Sequence, residues 1–222
     1  MSKICCLDRF YDLLDELENN IGGRRRLGDC HGRMNWPKRG VYFFFEPGET
    51  RNVKSSSSRV VRVGASTRLW TRISYHRGTL NPYGGYHRRS TFRRLVGNAI
   101  GKRNPKLMPE SWKQEGYIPP EIRELELPHE VRVSKYLAKM TLLFVCVPDA
   151  SESNSMMEDI ERESIALLSG YREPSPDKPS SNWLGLQSTQ EVQRSGLWNS
   201  KHVKGGYSQA FLDDFEELIR DM

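Results

Sequence analysis

The stretch GVYFFFEPGETRNVKSSSSRVVRVGASTRLWTRISYH, residues 40–76, contains the patterns of two strands and a helix. Its apolar, aromatic run Val41–Phe45 is closed by Pro-Gly, which predicts a strand followed by a turn. The run Arg59–Gly64 predicts a second strand, and we expect the two strands to pair as a hairpin with a long loop. Thr67–His76 follows as a predicted helix, with a Ser-Thr pair at its start as the N-cap.

Outside this stretch, the spacing of apolar residues predicts mostly helices and one more strand. The predicted helices span 8–21, 90–102, 129–139, 156–169 and 208–221, and the predicted strand spans 141–147. Prolines interrupt residues 103–128, which are therefore predicted to be irregular. Together these elements predict an α/β (α+β) fold, in which a small three-stranded, mainly antiparallel sheet is flanked by helices. N-terminal, central and C-terminal helical elaborations are expected around this sheet.

The composition favours a polyanionic partner. The chain has 222 residues, with 34 Lys and Arg against 28 Asp and Glu, and a formal net charge of +6. Each phosphate that a basic side chain neutralises releases condensed counterions, so such an excess suits nucleic acid. No apolar run approaches the roughly 20 residues needed to span a bilayer, and no membrane association is expected. The N-terminus does not resemble a secretory signal, so the expected location is the cytoplasm.

The two predicted strands carry a recognisable pair of motifs. Gly40-Val41-Tyr42 opens the first strand, and Arg62-Val63-Gly64 closes the second. This arrangement resembles the GIY-YIG nuclease family, in which a G-[IV]-Y strand pairs with a Y-[IV]-G strand. The resemblance covers about residues 40–76 and 141–183, with a long insertion between them. It implies a metal-dependent endonuclease with 5′-phosphate and 3′-hydroxyl products.

The helix after the second strand supplies candidate catalytic residues. In the family this helix presents an arginine to the scissile phosphate, a position that corresponds to Arg72. Arg68, Arg72 and His76 are spaced at i, i+4 and i+8, which predicts one stripe of donors on the helix. Either Arg62 replaces the family's second tyrosine or the register of the motif is shifted, and Tyr42 is then the only motif tyrosine. Tyr42 is a candidate general base, and His76 is an alternative base because imidazole titrates near neutrality.

The family also has a glutamate on a later helix, which holds one divalent metal ion, and an asparagine in the loop that follows. The resemblance assigns these positions to Glu163 and Asn182. On a helical wheel, Glu161 and Glu163 flank the apolar face at similar angles, so geometry alone leaves both open. Glu163 is chosen because the small and apolar residues after it match the family. One Mg²⁺ or Mn²⁺ ion is the expected cofactor, since one carboxylate, the substrate phosphate and waters suffice to hold it.

A loop within the insertion is the best candidate for an additional contact with DNA. The segment Gly84–Arg89 combines glycines, an aromatic residue and three basic residues. The predicted nucleic-acid-binding side chains are Arg62, Arg68, His87 and Arg88.

We expect three parts in the chain: an N-terminal helix and basic loop at 1–36, a nuclease core at 37–183 with an insertion at about 77–138, and a C-terminal extension at 184–222. The expected substrate is DNA, with double-stranded DNA favoured, and the expected role is restriction or anti-phage defence. A homodimer or a partner protein of a defence system is a further expectation. Two alternatives remain open: a nucleic-acid-binding or scaffold subunit that has lost turnover, and an RNA-directed nuclease.

Overall fold

A computed structural model of the protein describes residues 2–52, 57–148 and 153–222. The helices in these ranges are α1 Lys3–Asn20, α2 Leu69–Arg77, α3 Thr91–Arg103, α4 Pro120–Leu137, α5 Ser153–Leu168, α6 Gln190–Ser195 and α7 Phe211–Arg220. The strands are β1 Arg25–Arg26, β2 Gly40–Thr50, β3 Ser58–Ser66, β4 Thr79–Leu80, β5 Tyr83–Gly84 and β6 Thr141–Cys146. None of the described helices is both long enough and apolar enough to cross a membrane.

The main sheet is antiparallel and has the strand order β1-β6-β2-β3. The predicted mixed fold with an antiparallel sheet flanked by helices is confirmed, and so is the predicted hairpin, which β2 and β3 form. Part of the hairpin loop, residues 53–56, lies outside the described ranges. The fourth strand, β1, was not predicted, because two residues carry no alternation of apolar and polar side chains. It pairs with the edge of β6, where Arg25 lies opposite Leu142.

The alternation along β2 builds a separate apolar core on each face of the sheet. Val41, Phe43 and Phe45 pack on one face with buried side chains of α1, α5 and α7. Tyr42 and Phe44 point to the other face, where they meet α2, α3 and α4. Because successive strand residues alternate between faces, the motif tyrosine faces the helix that carries the candidate arginine.

The terminal helices belong to the same core as the sheet. Phe10 of α1 stacks on Phe215 of α7, with ring centroids 5.7 Å apart, and both rings contact Phe43 of β2. Burying three aromatic rings together contributes several kcal/mol to folding, at roughly 1.5–3 kcal/mol for each large apolar side chain. Segments 1–36 and 184–222 therefore help to stabilise the central sheet.

The largest difference from the sequence prediction is α4, which begins at Pro120 inside the stretch expected to be irregular. A proline in the first turn is compatible with a helix, because its missing N–H has no partner there. Pro128 lies inside the helix, where it removes one backbone hydrogen bond. Glu126 and Glu130, on either side of it, form buried ion pairs with arginines of the preceding segment. These tertiary contacts favour the helix over the local preference of proline.

Candidate active site

Tyr42 and His76 form the centre of the candidate site. The phenol oxygen of Tyr42 lies 2.8 Å from Nε2 of His76, and both side chains are fully buried. The Tyr42 ring lies opposite Gly64 on β3, where a Cβ atom would be only 2.3 Å from the phenol oxygen. Real Cβ atoms do not approach so closely, so the glycine of the second motif makes room for the tyrosine of the first.

His76 is held from its other side by the start of α3. Its Nδ1 lies 2.7 Å from Oγ of Ser90, and this hydroxyl also accepts the backbone N–H of Arg93 as the N-cap of the helix. Burial lowers the pKa of His76 well below its usual range, and the positive charges of Arg62, Arg72 and Arg93 lower it further. The imidazole is therefore neutral at neutral pH, with one donor nitrogen and one acceptor nitrogen.

Arg62, the first residue of the Arg62-Val63-Gly64 motif on β3, is only 7% exposed. Its guanidinium donates to the backbone carbonyl of Trp198, and it lies close enough to Tyr42 for the two groups to interact electrostatically. It also lies over the ring of Phe92, with the Cζ atom 4.8 Å from the ring centroid. Burial lowers the pKa of Arg62. Arg62 was predicted to bind nucleic acid, and the structure places it among buried groups beside Tyr42.

The stripe predicted on α2 runs from the surface into the site. The helix begins at Leu69 with Arg68 at the N-cap, and the hydroxyl of Ser66 accepts the Arg68 backbone N–H at 3.0 Å. Arg68 is exposed, Arg72 is half-buried and His76 is buried. A guanidinium at the half-buried position is close enough to affect the titration of His76, and it remains open to solvent on one side. Arg72 therefore suits contact with a bound anion.

The acidic side chain that faces this cluster is Glu161 of α5. Burial raises the pKa of the Glu161 carboxyl, and the charges of Arg62 and Arg72 oppose the shift, so the carboxylate lies within their electrostatic reach. The predicted metal ligand Glu163 is directed elsewhere. Its Oε2 accepts the backbone N–H and the hydroxyl of Ser208 at 2.6 and 2.9 Å. The two glutamates differ by two helix positions, about 200° on the wheel, and the packing of α5 on β3 turns Glu161 toward the site.

The donors at Glu161 fit a divalent ion of the magnesium type. Within the described ranges, no group of three or more His, Cys, Asp and Glu side chains could together hold a metal ion. An ion at Glu161 would therefore have fewer than three such protein ligands, and Mg²⁺ accepts such an arrangement because it keeps several waters and binds substrate phosphate oxygens. The backbone of Ala65 also opposes the rise in the pKa of Glu161, which places the carboxyl beside the end of β3.

Asn199, which the sequence analysis did not single out, is held against β3, whereas the predicted Asn182 lies at the surface. The Asn199 side chain is buried against β3, where its Oδ1 accepts the Val63 N–H at 3.1 Å and its Nδ2 donates to the Val63 carbonyl at 2.9 Å. Asn182 is exposed, and its backbone carbonyl accepts from Arg103 at 3.2 Å. Asparagine in a loop is common, so nothing local in the sequence distinguished the two positions.

His87 and Arg88 were predicted to bind nucleic acid, but the structure places both in a buried network. The ring of His87 stacks on Trp112 at 3.7 Å, and its Nδ1 lies 3.0 Å from Glu130. Arg88 donates to both carboxylate oxygens of Glu126 at 2.6 and 2.8 Å. The prediction counted basic residues in a glycine-rich loop, whereas the acidic partners of these two residues, Glu126 and Glu130, lie far along the chain on α4.

Comparison with known proteins agrees with this geometry. The family model described as "GIY-YIG domain" matches residues 1–222. The match extends beyond the two segments that carry the motifs, and it includes both terminal helices. Comparisons with curated proteins and with solved structures gave no match. The paired motif strands, the arginine helix and the match over the full length agree, and the chain belongs to the GIY-YIG domain family.

Proposed function

We propose that this protein is a divalent-metal-dependent endonuclease that hydrolyses phosphodiester bonds in DNA. Its family indicates a nuclease. The observation that carries the more specific proposal is one connected cluster of four kinds of group built on the Tyr42–His76 pair, whose phenol oxygen and Nε2 atom are 2.8 Å apart. Arg62 and Arg72 lie within electrostatic reach of this pair, and the Glu161 carboxylate of α5 lies within reach of both arginines. Phosphodiester hydrolysis needs a proton acceptor, positive charge for the phosphate and a metal ligand, and this set provides each of them.

Each of these residues has a separate role in an in-line attack by water on the phosphate. Tyr42 accepts the proton of the attacking water through its phenol oxygen, and Nε2 of His76 accepts the phenol proton. Arg72, which is open to solvent on one side, stabilises the charge that develops on the non-bridging oxygens. A divalent ion bound by Glu161 would supply Lewis-acid stabilisation of the leaving 3′ oxygen. Asn199 keeps β3, and with it Gly64, in register beneath the tyrosine.

The proposed biological role is restriction or anti-phage defence in the cytoplasm, with double-stranded DNA as substrate. The net charge of +6 supports a nucleic-acid substrate. Cutting both strands would be helped by a homodimer, or by a partner protein that brings two active sites together. These assignments rest on the resemblance of stand-alone nucleases of this family to restriction enzymes.

A second candidate function is a nucleic-acid-binding subunit that keeps the fold without turnover. Two observations favour it: the side chains of Tyr42 and His76 are both fully buried, and Arg62 replaces the second motif tyrosine. A general base must reach the attacking water, so catalysis requires the wall above the phenol to open when the substrate binds. Binding without cleavage requires no such opening.

The deciding experiment compares Glu161→Gln with Glu163→Gln in a plasmid-cleavage time course with Mg²⁺, Mn²⁺ or EDTA. Both variants remove one carboxylate of α5 and keep its shape, so they are matched for helix stability. We expect the wild type to nick or linearise plasmid only with metal, and Glu161→Gln to be at least about 100-fold slower, as expected for loss of a metal ligand. Glu163→Gln should cut at a rate within about threefold of the wild type.

Each other outcome has a defined meaning. If Glu163→Gln is inactive and Glu161→Gln is active, the metal-ligand assignment is wrong and the nuclease assignment stands. If the wild type binds DNA and cuts neither DNA nor RNA with any metal, the binding-subunit function replaces the proposal. Cleavage of RNA alone would keep the chemistry and change the substrate.

A further inference from the structure

We propose that a cleft beside the active site receives one nucleotide that has left the stack of the DNA strand to be cut. The cleft has a volume of about 490 Å³ and lies between the exposed face of α2, the β4–β5 hairpin and α4. Its volume is within the range of about 300–1,000 Å³ that is typical of small-ligand sites and is larger than a single nucleoside needs. The inference rests on the proposed function and specifies its substrate.

The walls of the cleft are aromatic. Tyr75 from α2, Tyr83 from the hairpin and Tyr86 from the following loop all line it, and Tyr75 and Tyr83 are each 37% exposed. Exposed tyrosines around a cleft provide flat, partly apolar surfaces on which a base can stack, and every base has such a face. Leu127, which is 46% exposed, adds apolar surface on the α4 side.

The charge of the cleft matches a nucleotide. Arg89 and Arg123 line it, whereas no Asp or Glu is among the described residues of its wall. The guanidinium of Arg89 lies 5.5 Å from the Tyr75 ring centroid, and that of Arg123 lies 5.0 Å from the Tyr86 ring centroid. Each cation is therefore next to a stacking surface, where it can contact the phosphate of a nucleotide whose base lies on the tyrosine.

The cleft continues directly from the candidate active site. Tyr75 follows Arg72 by three positions on α2, so the two side chains are neighbours on the helix surface. Arg72 also donates to the backbone carbonyl of Arg89 at 3.4 Å. A strand whose scissile phosphate meets Arg72 would therefore have its adjacent nucleotide at the mouth of the cleft.

The hairpin wall is held in place by α4. The hydroxyl of Ser134 donates to the Gly84 carbonyl at 2.5 Å and also accepts from Arg93, the buried arginine that donates to the His76 carbonyl. The wall of the cleft and the backbone of the candidate catalytic histidine thus share one hydrogen-bonded support. A preformed wall reduces the entropy cost of binding, and the protein should prefer DNA in which a base is already unpaired beside the cleavage position.

The test measures DNA binding in EDTA, so that it does not depend on cleavage. Two fluorescein-labelled DNA duplexes of the same sequence are compared by fluorescence anisotropy: one is fully paired, and the other has three unpaired nucleotides in one strand. The variants are Tyr83→Ala, Tyr83→Phe and Tyr117→Ala. Tyr117 is 86% exposed and does not line the cleft, so its variant controls for loss of any exposed tyrosine. Thermal unfolding by circular dichroism verifies that each variant is folded.

We expect the wild type to bind the duplex with unpaired nucleotides about tenfold more tightly, in the range that stacking of one base on an aromatic side chain provides. Tyr83→Ala should lose this preference and bind the paired duplex as the wild type does. Tyr83→Phe, which keeps the ring, should retain the preference, and so should Tyr117→Ala. Equal wild-type affinity for both duplexes, or an equal loss on both in Tyr83→Ala, would overturn the cleft proposal.

The nucleotide-cleft proposal and the nuclease proposal can be overturned independently of each other. If the preference and its loss in Tyr83→Ala are found but no metal supports cleavage, the cleft stands and the catalytic proposal falls. If the wild type cuts plasmid and the variants leave the preference unchanged, the cleft proposal falls alone. If the wild type binds neither duplex, both are overturned.

Discussion

The Tyr42 ring lies directly over Gly64 of the neighbouring strand, so closely that a Cβ on the glycine would be 2.4 Å from Cζ of the ring. The two residues are cross-strand partners, and one comes from each of the two family motifs. Because the ring is fully buried, it cannot swing aside into solvent to accommodate a larger neighbour. The packing of the Tyr42 ring, the candidate base, therefore requires a glycine at position 64.

Gly64→Ala should therefore destabilise the protein and displace Tyr42. Overpacking a buried site costs about 1–3 kcal/mol, and we expect the free energy of unfolding in urea to fall by that amount. Gly206→Ala is the matched control, because the nearest atom to its added Cβ would be 3.9 Å away, at the end of the Arg172 side chain. Equal stability of the two variants would contradict the close packing of Tyr42 on Gly64.

Ser90→Ala should slow DNA cleavage and should also lower the free energy of unfolding by a small amount. The change removes the N-cap of α3, a loss of about 1 kcal/mol, and also the hydroxyl that orients Nδ1 of His76. We expect the cleavage rate with Mg²⁺ to fall by roughly tenfold, within the range for loss of a supporting hydrogen bond. Ser90→Thr keeps the hydroxyl and should restore most of the rate. If Ser90→Thr is as slow as Ser90→Ala, the hydroxyl does not orient the histidine.

The stability of the protein should depend on His76 at acidic pH. Burial depresses the pKa of His76 in the folded protein, so below about pH 6.5 the unfolded chain binds a proton that the folded protein does not. The stabilising contribution is present above pH 6.5 and is lost as the pH falls, by at most about 1.4 kcal/mol per pH unit.

His76→Gln removes this titration and keeps a donor and an acceptor at the same position. From about pH 7 to about pH 5, we expect the wild type to lose more unfolding free energy than the variant does, by no more than about 1.4 kcal/mol per pH unit. His129 and His202, whose pKa values are also lowered by burial, are present in both proteins and cancel in the difference. Parallel pH profiles of wild type and variant would show that His76 titrates normally.

Asn199→Ala should destabilise the protein, and Asn182→Ala should not. The first change leaves the buried N–H and carbonyl of Val63 without their side-chain partners, which costs about 2–4 kcal/mol for two groups. The second removes an exposed side chain, and such changes usually alter stability by less than about 0.5 kcal/mol. Urea unfolding of both variants measures their free energies of unfolding. A larger loss in Asn182→Ala than in Asn199→Ala would contradict the structural role given to Asn199.

Local patterns were sufficient to predict the elements that form the centre of the fold. The aromatic run after Gly40 and the alternating run before Gly64 specify strands because their side chains suit a pleated surface buried on both faces. Leu69 and Ile73 at helical spacing predicted the buried face of α2, and both are fully buried. The pairing of Tyr42 with Gly64 follows once the two strands form one hairpin.

Local sequence patterns failed to predict structure where the stabilising contact joins residues far apart in the sequence. A helix was predicted at 129–139, but the first half of α4, residues 120–128, was missed because its prolines disfavour a helix locally, whereas the buried ion pairs of Glu126 and Glu130 with Arg88 and Arg93 favour it. The same ion pairs hold the Arg88 guanidinium against Glu126, with 11% of the Arg88 side chain exposed. The partners in these pairs are separated by 38 and 37 positions, well beyond the reach of any periodicity argument.

The sequence by itself therefore determined which side chains are available: a motif tyrosine, a helix with an arginine and a histidine four residues apart, and two glutamates on a later helix. The tertiary structure alone decided which of them meet. Glu161 and Glu163 are equivalent on a helical wheel, and only the packing of α5 against the end of β3 turns Glu161 toward Arg62 and Arg72. The physical reason is that a helix fixes angles between its own residues, whereas its orientation toward the rest of the protein depends on long-range packing.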